Sequence, residues 1–191
     1  MKKNEALDYI ATCGYNVGYG AKKNLATYDI VEKIPGWISF ASIAFGILSL
    51  KYFSANLASH AGVFLTIFGV ISLYITHFSS IKDKYKDAGT KFTRIYNDLH
   101  VSYLNIKGDE KNIEAELSKV AAYMEEFYNS SIERQILLSD WYAHYKFFVQ
   151  MQIDWVDEQK QFGLLEDKIP HSFQFVVCIT LVITIIWYAT R

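Results

Sequence analysis

Three long runs without a charged side chain, in a chain of 191 residues, constrain the fold more than any other feature. They cover Trp37 to Leu50, Ala61 to Phe78 and Phe173 to Ala189, and none contains Asp, Glu, Lys or Arg. With its flanks, each approaches the roughly 20 apolar residues that a helix needs to cross about 30 Å of hydrocarbon. The remaining polar sequence is too short to cover three such helices in water. The pattern predicts an all-α integral membrane protein with a transmembrane hairpin, a cytoplasmic helical bundle and a third, C-terminal transmembrane helix. The expected divisions are a cytoplasmic arm at 1–35, the hairpin at 36–79, the helical region at 80–169 and the last span at 170–191.

Charge excludes one class of function. The formal net charge is −1, without the clustered basic surface of a nucleic-acid binder, so no direct nucleic-acid partner is expected. Lys2 and Lys3 are followed by no apolar core of a signal peptide, so the first span is expected to serve as the insertion signal. Cys13 and Cys178 fall in different layers and are expected to be two buried, unpaired thiols.

Local signals divide the polar sequence. Gly14, Gly18 and Gly20 weaken a continuous helix in the arm, although Gly14 and Gly18 would let it pack closely on a neighbour. Pro35-Gly36 is expected to break the chain and open the first span. The link Lys51 to His60 is short enough to force an antiparallel hairpin. Beyond Phe78, the residues Tyr85, Ala88, Phe92, Ile95 and Leu99 recur at three- and four-residue steps, an amphipathic helix expected to continue the second span directly. Gly108 and Asp109 mark a stop and a cap. Ile113, Leu117, Val120, Met124 and Phe127 form the stripe of the next helix, which ends at Asn129-Ser130-Ser131. Ser131 is expected to cap a short helix over 132–138. Asp140 would then cap a longer one that runs through Trp155 to Gly163.

Lys and Arg near span ends set topology. Lys22, Lys23 and Lys33 precede the first span, and Lys82, Lys84, Lys86, Lys91 and Arg94 follow the second, whereas the link carries only Lys51 and the far end only Arg191. The N-terminus and the helical region are therefore expected in the cytoplasm, and the link and C-terminus outside. Lys22-Lys23 is expected near anionic head groups.

Candidate chemistry is sparse. The five histidines show no metal-ligand spacing; His77, at the inner edge of the second span, is most simply a solvated imidazole. Gly14 to Gly20 lacks the Gly-Lys-Ser/Thr ending of a phosphate loop. No catalytic residue, cofactor or metal is nominated. The spans do offer small and hydroxyl residues at helical spacing: Gly62, Thr66, Gly69 and Thr76 on the second, Ala41, Ser42, Ala44, Gly46 and Ser49 on the first, and Thr180 and Thr184 on the third. Such residues either pack the hairpin or face a pore in an oligomer. Tyr85, Phe92 and Leu99 would lie on the helix that couples the spans to the cytoplasmic helices.

The arm Tyr15-Asn16-Val17-Gly18-Tyr19-Gly20-Ala21-Lys22-Lys23, the Pro35-Gly36-Trp37 entry, the two-span hairpin and the helical tail resemble the SLATT proteins, the SMODS- and SLOG-associating two-transmembrane effectors. The resemblance covers most of residues 1 to 165, and the span from Phe173 goes beyond that two-span core. It implies a pore-forming or membrane-disrupting effector of a bacterial anti-phage or conflict system in the inner membrane, with the lipid bilayer and further copies of the chain as partners. It also implies a nucleotide-signalling protein or a reverse transcriptase encoded nearby, and no catalytic residues. The alternative is a non-enzymatic anchor or assembly subunit that holds a soluble signalling partner at the membrane.

Overall fold

The computed structural model describes residues 1–52, 54–109 and 112–190. Arg191, and with it the basic end used above for topology, lies outside the described residues. Among the described residues seven α-helices follow one another: α1 (Lys3–Tyr52), α2 (Ala55–Thr76), α3 (Lys82–Gly108), α4 (Ile113–Asn129), α5 (Ser139–Phe148), α6 (Asp154–Lys160) and α7 (His171–Ala189). A single 3-10 turn, Ser79–Ile81, joins α2 to α3. Among the described residues there is no strand.

The arm and the first span are one helix. α1 has 50 residues and is therefore about 75 Å long, more than twice the hydrocarbon thickness. Pro35 sits inside it, so the expected break at Pro35-Gly36 is absent. A proline in a helix interior costs about 3 kcal/mol. Here packing on both sides of Pro35 outweighs that cost: α3 lies along the part before it and α2 along the part after. Ser39 donates its hydroxyl to the Pro35 carbonyl at 2.9 Å.

The core follows from spacing. On α3, Tyr85, Ala88, Phe92, Ile95, Leu99 and Ile106 are buried; on α1, Ile10, Gly14, Val17, Ala21 and Val31 face inward. Both sets advance in steps that keep one stripe on one side of a helix. Residues early in α3 meet residues late in the arm, for a Cβ placed on Gly89 would stand 2.6 Å from Leu25 Cγ and 3.2 Å from the Ala21 carbonyl. Near the other end, one placed on Gly18 would meet Tyr96 and Phe147 at 2.9 Å. The two helices therefore run antiparallel in close contact. α4 closes the bundle with Val120 and Met124, and α6 with Trp155 and Val156. Each fully buried Phe, Ile or Leu in this core contributes roughly 1.5–3 kcal/mol by leaving water.

Several local expectations are corrected. Residues 55–60, read as part of a link, are helical, and Ser54 caps α2 through its hydroxyl. α3 does follow α2 directly, in one helical run Ser59–Gly108, but through a 3-10 turn: Phe78 and Ile81 donate to carbonyls three residues back, at Ile75 and Phe78, which tightens the chain locally. The stretch 131–136 is not helical, because Ile136 is buried and Ile132 packed against the core as a strap across other helices. Asp140 lies within the first turn of α5, and Leu138 occupies the cap. The long helix expected to reach Gly163 is split into α5 and α6, and the split seats Trp155 over Gly14. Cys13 is buried, and Cys178 is exposed on α7, whose side chains find almost no cover within the chain.

Among the described residues three helices are long and apolar enough to cross a membrane. Their apolar surfaces, including Trp37, Phe40, Phe64, Val70, Leu181 and Ile185, are exposed in the isolated chain. An apolar surface of that extent requires lipid or another protein as its partner.

The close approach at Gly14 yields a test. A Cβ there would stand 2.2 Å from Trp155 Cη2, whereas at Gly46 it would meet nothing within 4 Å. Gly14→Ala is expected to destabilise the bundle by about 2 kcal/mol, and Gly46→Ala to be neutral or slightly stabilising through helix propensity. Thermal unfolding of both variants in detergent measures the contrast.

Candidate functional site

The candidate functional region is the level at which α1 and α2 leave the bundle for the apolar zone. Val31, Ile75, Phe78, Tyr85 and Ile136 form a second buried cluster there, separate from the main core. Four elements supply it: α1, α2 with its turn, α3, and the strap that precedes α5. The strap is fastened at several points. Tyr85 donates its hydroxyl to the Arg134 carbonyl. The Arg134 guanidinium lies 4.9 Å from the Phe78 ring centroid, a cation–π arrangement. The Leu137 backbone N–H donates to Tyr74 Oη at 3.2 Å. Gln135 bridges inward: its amide donates to Asn24 Oδ1 at 3.3 Å, and its oxygen accepts from the Thr27 hydroxyl.

Charge reinforces this level. Asp29 lies between Lys33, at 2.7 Å, and Lys146. Asp29 and Lys146 are only 15 % and 13 % exposed. Burial pushes the Asp29 carboxyl up, but the hydrogen bonds from Lys146 and Lys33 more than offset it and hold the group below its ordinary value of 3.8. Lys82 pairs with Glu32 across the joint. Deeper in the bundle, burial lowers the pKa of His144, opposed in part by its hydrogen bonds with the Asp140 and Asp167 backbones; its Nδ1 is 2.9 Å from Tyr19 Oη. Lys22 lines a bundle cleft beside His100 and Trp155, and Lys23 pairs with Asp140 at 2.7 Å. The basic pair expected near head groups is thus occupied within the bundle, about 18 Å along α1 from Pro35.

The sequence-predicted positions separate into two groups. Tyr85, Phe92 and Leu99 are all buried on α3. Tyr85 belongs to the joint cluster, and Phe92 and Leu99 belong to the main core, so one face of α3 touches both. The small-residue stripe does not pack the hairpin. Among the described side chains of α2, Ala61, Leu65, Phe68, Ser72 and Ile75 are covered, and Gly62, Thr66, Gly69 and Thr76 are exposed. Each stripe residue stands one position after a covered one, about 100° around the helix. A Cβ at Gly62 or Gly69 would meet nothing within 4 Å. On the first span, Ala41, Ser42, Ala44, Gly46 and Ser49 are partly covered. Thr180 and Thr184 lie exposed on α7. The hydroxyls of Thr66, Thr76, Thr180 and Thr184 donate to the carbonyls four residues back, at 2.8–2.9 Å, so none needs an external acceptor.

Sequence reasoning missed the strap. Arg134, Gln135 and Ile136 read as a short helix, and only their tertiary partners reveal a clamp. Phe78 reads as the last residue of a span, and its aromatic face next to a cation leaves no local signal in the sequence.

Asp29 sets an acid dependence. Because its folded pKa is depressed, its stabilising contribution is complete above 3.8 and is lost as pH falls through the lower folded value. Asp29→Asn is expected to cost about 3 kcal/mol at neutral pH by leaving Lys146 unpaired, and to flatten the loss of thermal stability below pH ~4. Unfolding curves from pH 3 to 7 in detergent compare the variant with the parent.

No curated protein and no solved structure matches the chain. The family model described as the SMODS and SLOG-associating 2TM effector domain 6 matches residues 1–177, which takes in the hairpin and the bundle and ends within α7. With nearly its whole length matched, the chain belongs to the SLATT family, the two-transmembrane effectors of conflict systems.

Proposed function

We propose that this effector acts by assembling copies of itself in the membrane through the Gly62–Thr66–Gly69–Thr76 face of α2 and opening a path through the bilayer. The observation that carries the reading is the bareness of that face. The hairpin closes on the neighbouring seam, so the small residues that allow close helix approach are left for a partner outside the chain. Family membership supplies the effector role, and the joint supplies a route for control. A change in the bundle would be felt at Phe78 and Tyr85, which pack against both the spans and the strap. The excess of Lys and Arg at this end favours a cytoplasmic bundle in a bacterial inner membrane. A nucleotide-signalling protein or a reverse transcriptase is the proposed source of the activating signal in an anti-phage response. The helical fold and the effector family suit a protein that acts by assembly.

One observation favours the second reading, a membrane anchor for a soluble partner. The Thr66 and Thr76 hydroxyls are satisfied by their own helix, so the stripe can face lipid without water. Substitutions separate the two readings. Gly69→Leu leaves the isolated fold untouched, because the position is open. In the effector it is expected to reduce dye release from proteoliposomes at least tenfold while the bundle melts at the parent temperature. Thr66→Lys is expected to alter conductance in planar bilayers. Unchanged leakage and conductance in both variants, or no leakage by activated parent protein, would leave the anchor reading standing.

A further inference from the structure

Between the strap and α5, the chain turns through Leu137 and Leu138, and the main core does not explain their placement. Leu137 is 70 % exposed and Leu138 is 52 % exposed. Leu138 adopts φ 68°, in the left-handed region that a leucine rarely occupies. Facing water, two neighbouring leucines on such a turn would leave more than half of their surface uncovered in return for the strain.

Contacts fix the level of this turn. The Leu137 N–H is held by Tyr74, in the last turn of α2. Leu138 and Trp141 share an apolar groove of about 420 Å³ with Ile34 and Trp37, where α1 enters its apolar part. Trp141 Nε1 donates to Ser172 Oγ at 2.9 Å, and its ring meets Phe173 edge-on at 5.3 Å, in the first turn of α7. The turn and the first turn of α5 that follows it therefore together touch the near end of all three apolar helices. Tyr74, Trp37 and Trp141 are also the residue types that settle at a membrane–water interface.

We propose that Leu137 and Leu138, backed by Trp141, form a foot that enters the boundary between head groups and acyl chains of the same bilayer that the spans cross. Continuity with the spans decides the occupant, because a leucine at the level where three apolar helices begin has acyl chains as its nearest large apolar phase. Arg134 and Lys33, next to the foot, are exposed, and cations at that level would meet lipid phosphates. The foot fixes the height and tilt of the bundle on the membrane and passes that constraint through the strap to Phe78 and Tyr85. The proposal rests on the chain being membrane-embedded and is independent of pore formation.

The test uses the full chain with Cys13→Ala and Cys178→Ser, reconstituted in vesicles of phosphatidylcholine and phosphatidylglycerol. An environment-sensitive fluorophore is attached at Leu137→Cys or, as a control, at Val149→Cys. Val149 is 67 % exposed but stands at the opposite end of α5, about 16 Å along that helix from Leu138. Lipids bearing a nitroxide near the head-group end of the acyl chain are expected to quench the Leu137 probe at least roughly twofold more than the Val149 probe. The blue-shifted emission of the Leu137 probe is expected to persist at one chain per nanodisc. Equal quenching at the two sites overturns the proposal. A blue shift that disappears on dilution to one chain per nanodisc assigns the turn to a contact with a second copy and also overturns it. Leu138→Cys repeats the measurement if a label at Leu137 changes the far-ultraviolet dichroism.

Discussion

The structure depends on the antiparallel contact that α1 makes first with α3 and then with α2. α1 is one helix in two solvents. Along its first part, Ile10, Val17 and Ala21 are buried in a core with Phe92, Ile95 and Leu99, and removal of apolar surface from water drives the association. Along its second part that driving force is gone, because lipid is as apolar as the helix. Small residues such as Ala41 and Ser42 then allow close backbone approach instead. Packing on α3 and on α2 is what makes Pro35 tolerable inside the helix.

The change of medium coincides with a change in the partner strand of the seam. Opposite the unbroken α1, the chain passes from α2 to α3 through a 3-10 turn centred on Ser79–Ile81. That turn lies beside Phe78, Tyr85 and the strap, and it is flanked by the Lys82–Glu32 pair and by Asp29 with its two lysines. A short 3-10 segment between longer α-helices has weaker hydrogen-bond geometry than its neighbours, which makes the joint between α2 and α3 the proposed hinge between bundle and spans. The proposed control of the spans by the bundle has its mechanical basis there, and the proposed foot at Leu137 and Leu138 braces the same point from the membrane side.

The exposed stripe on α2 shows how fine the distinction is between a residue that packs and one that awaits a partner. Gly62, Thr66, Gly69 and Thr76 repeat with the same period as the covered residues Ala61, Leu65, Phe68, Ser72 and Ile75. Both sets satisfy any test of helical spacing. Only the position of α1 separates them, and it selects the set with Leu65 and Phe68, whose larger side chains fill the space between the helices. The glycines of the arm follow the opposite course. In isolation Gly14 and Gly18 suggest helix weakness, yet Trp155, Phe147 and Tyr96 lie so close that a Cβ has no room, and the packing they permit repays their low propensity.

The sequence by itself determined the helical class, the three membrane-capable segments, the α3 and α4 stripes and the family, because each of these is a local pattern: an uncharged run, a three–four repeat, a string of motif residues. It could not determine where helices end when neighbours overrule propensity. Pro35 remains inside a helix, Ile132 to Ile136 becomes a strap, and Asp140 yields the α5 cap to Leu138. Nor could it determine which stripe of α2 faces α1, or that Asp29, Phe78, Tyr85, Arg134 and Leu137 meet at one level. Those outcomes belong to the tertiary structure, because they depend on residues far apart in the chain competing for the same space, and a competition of that kind leaves no periodic trace in the sequence.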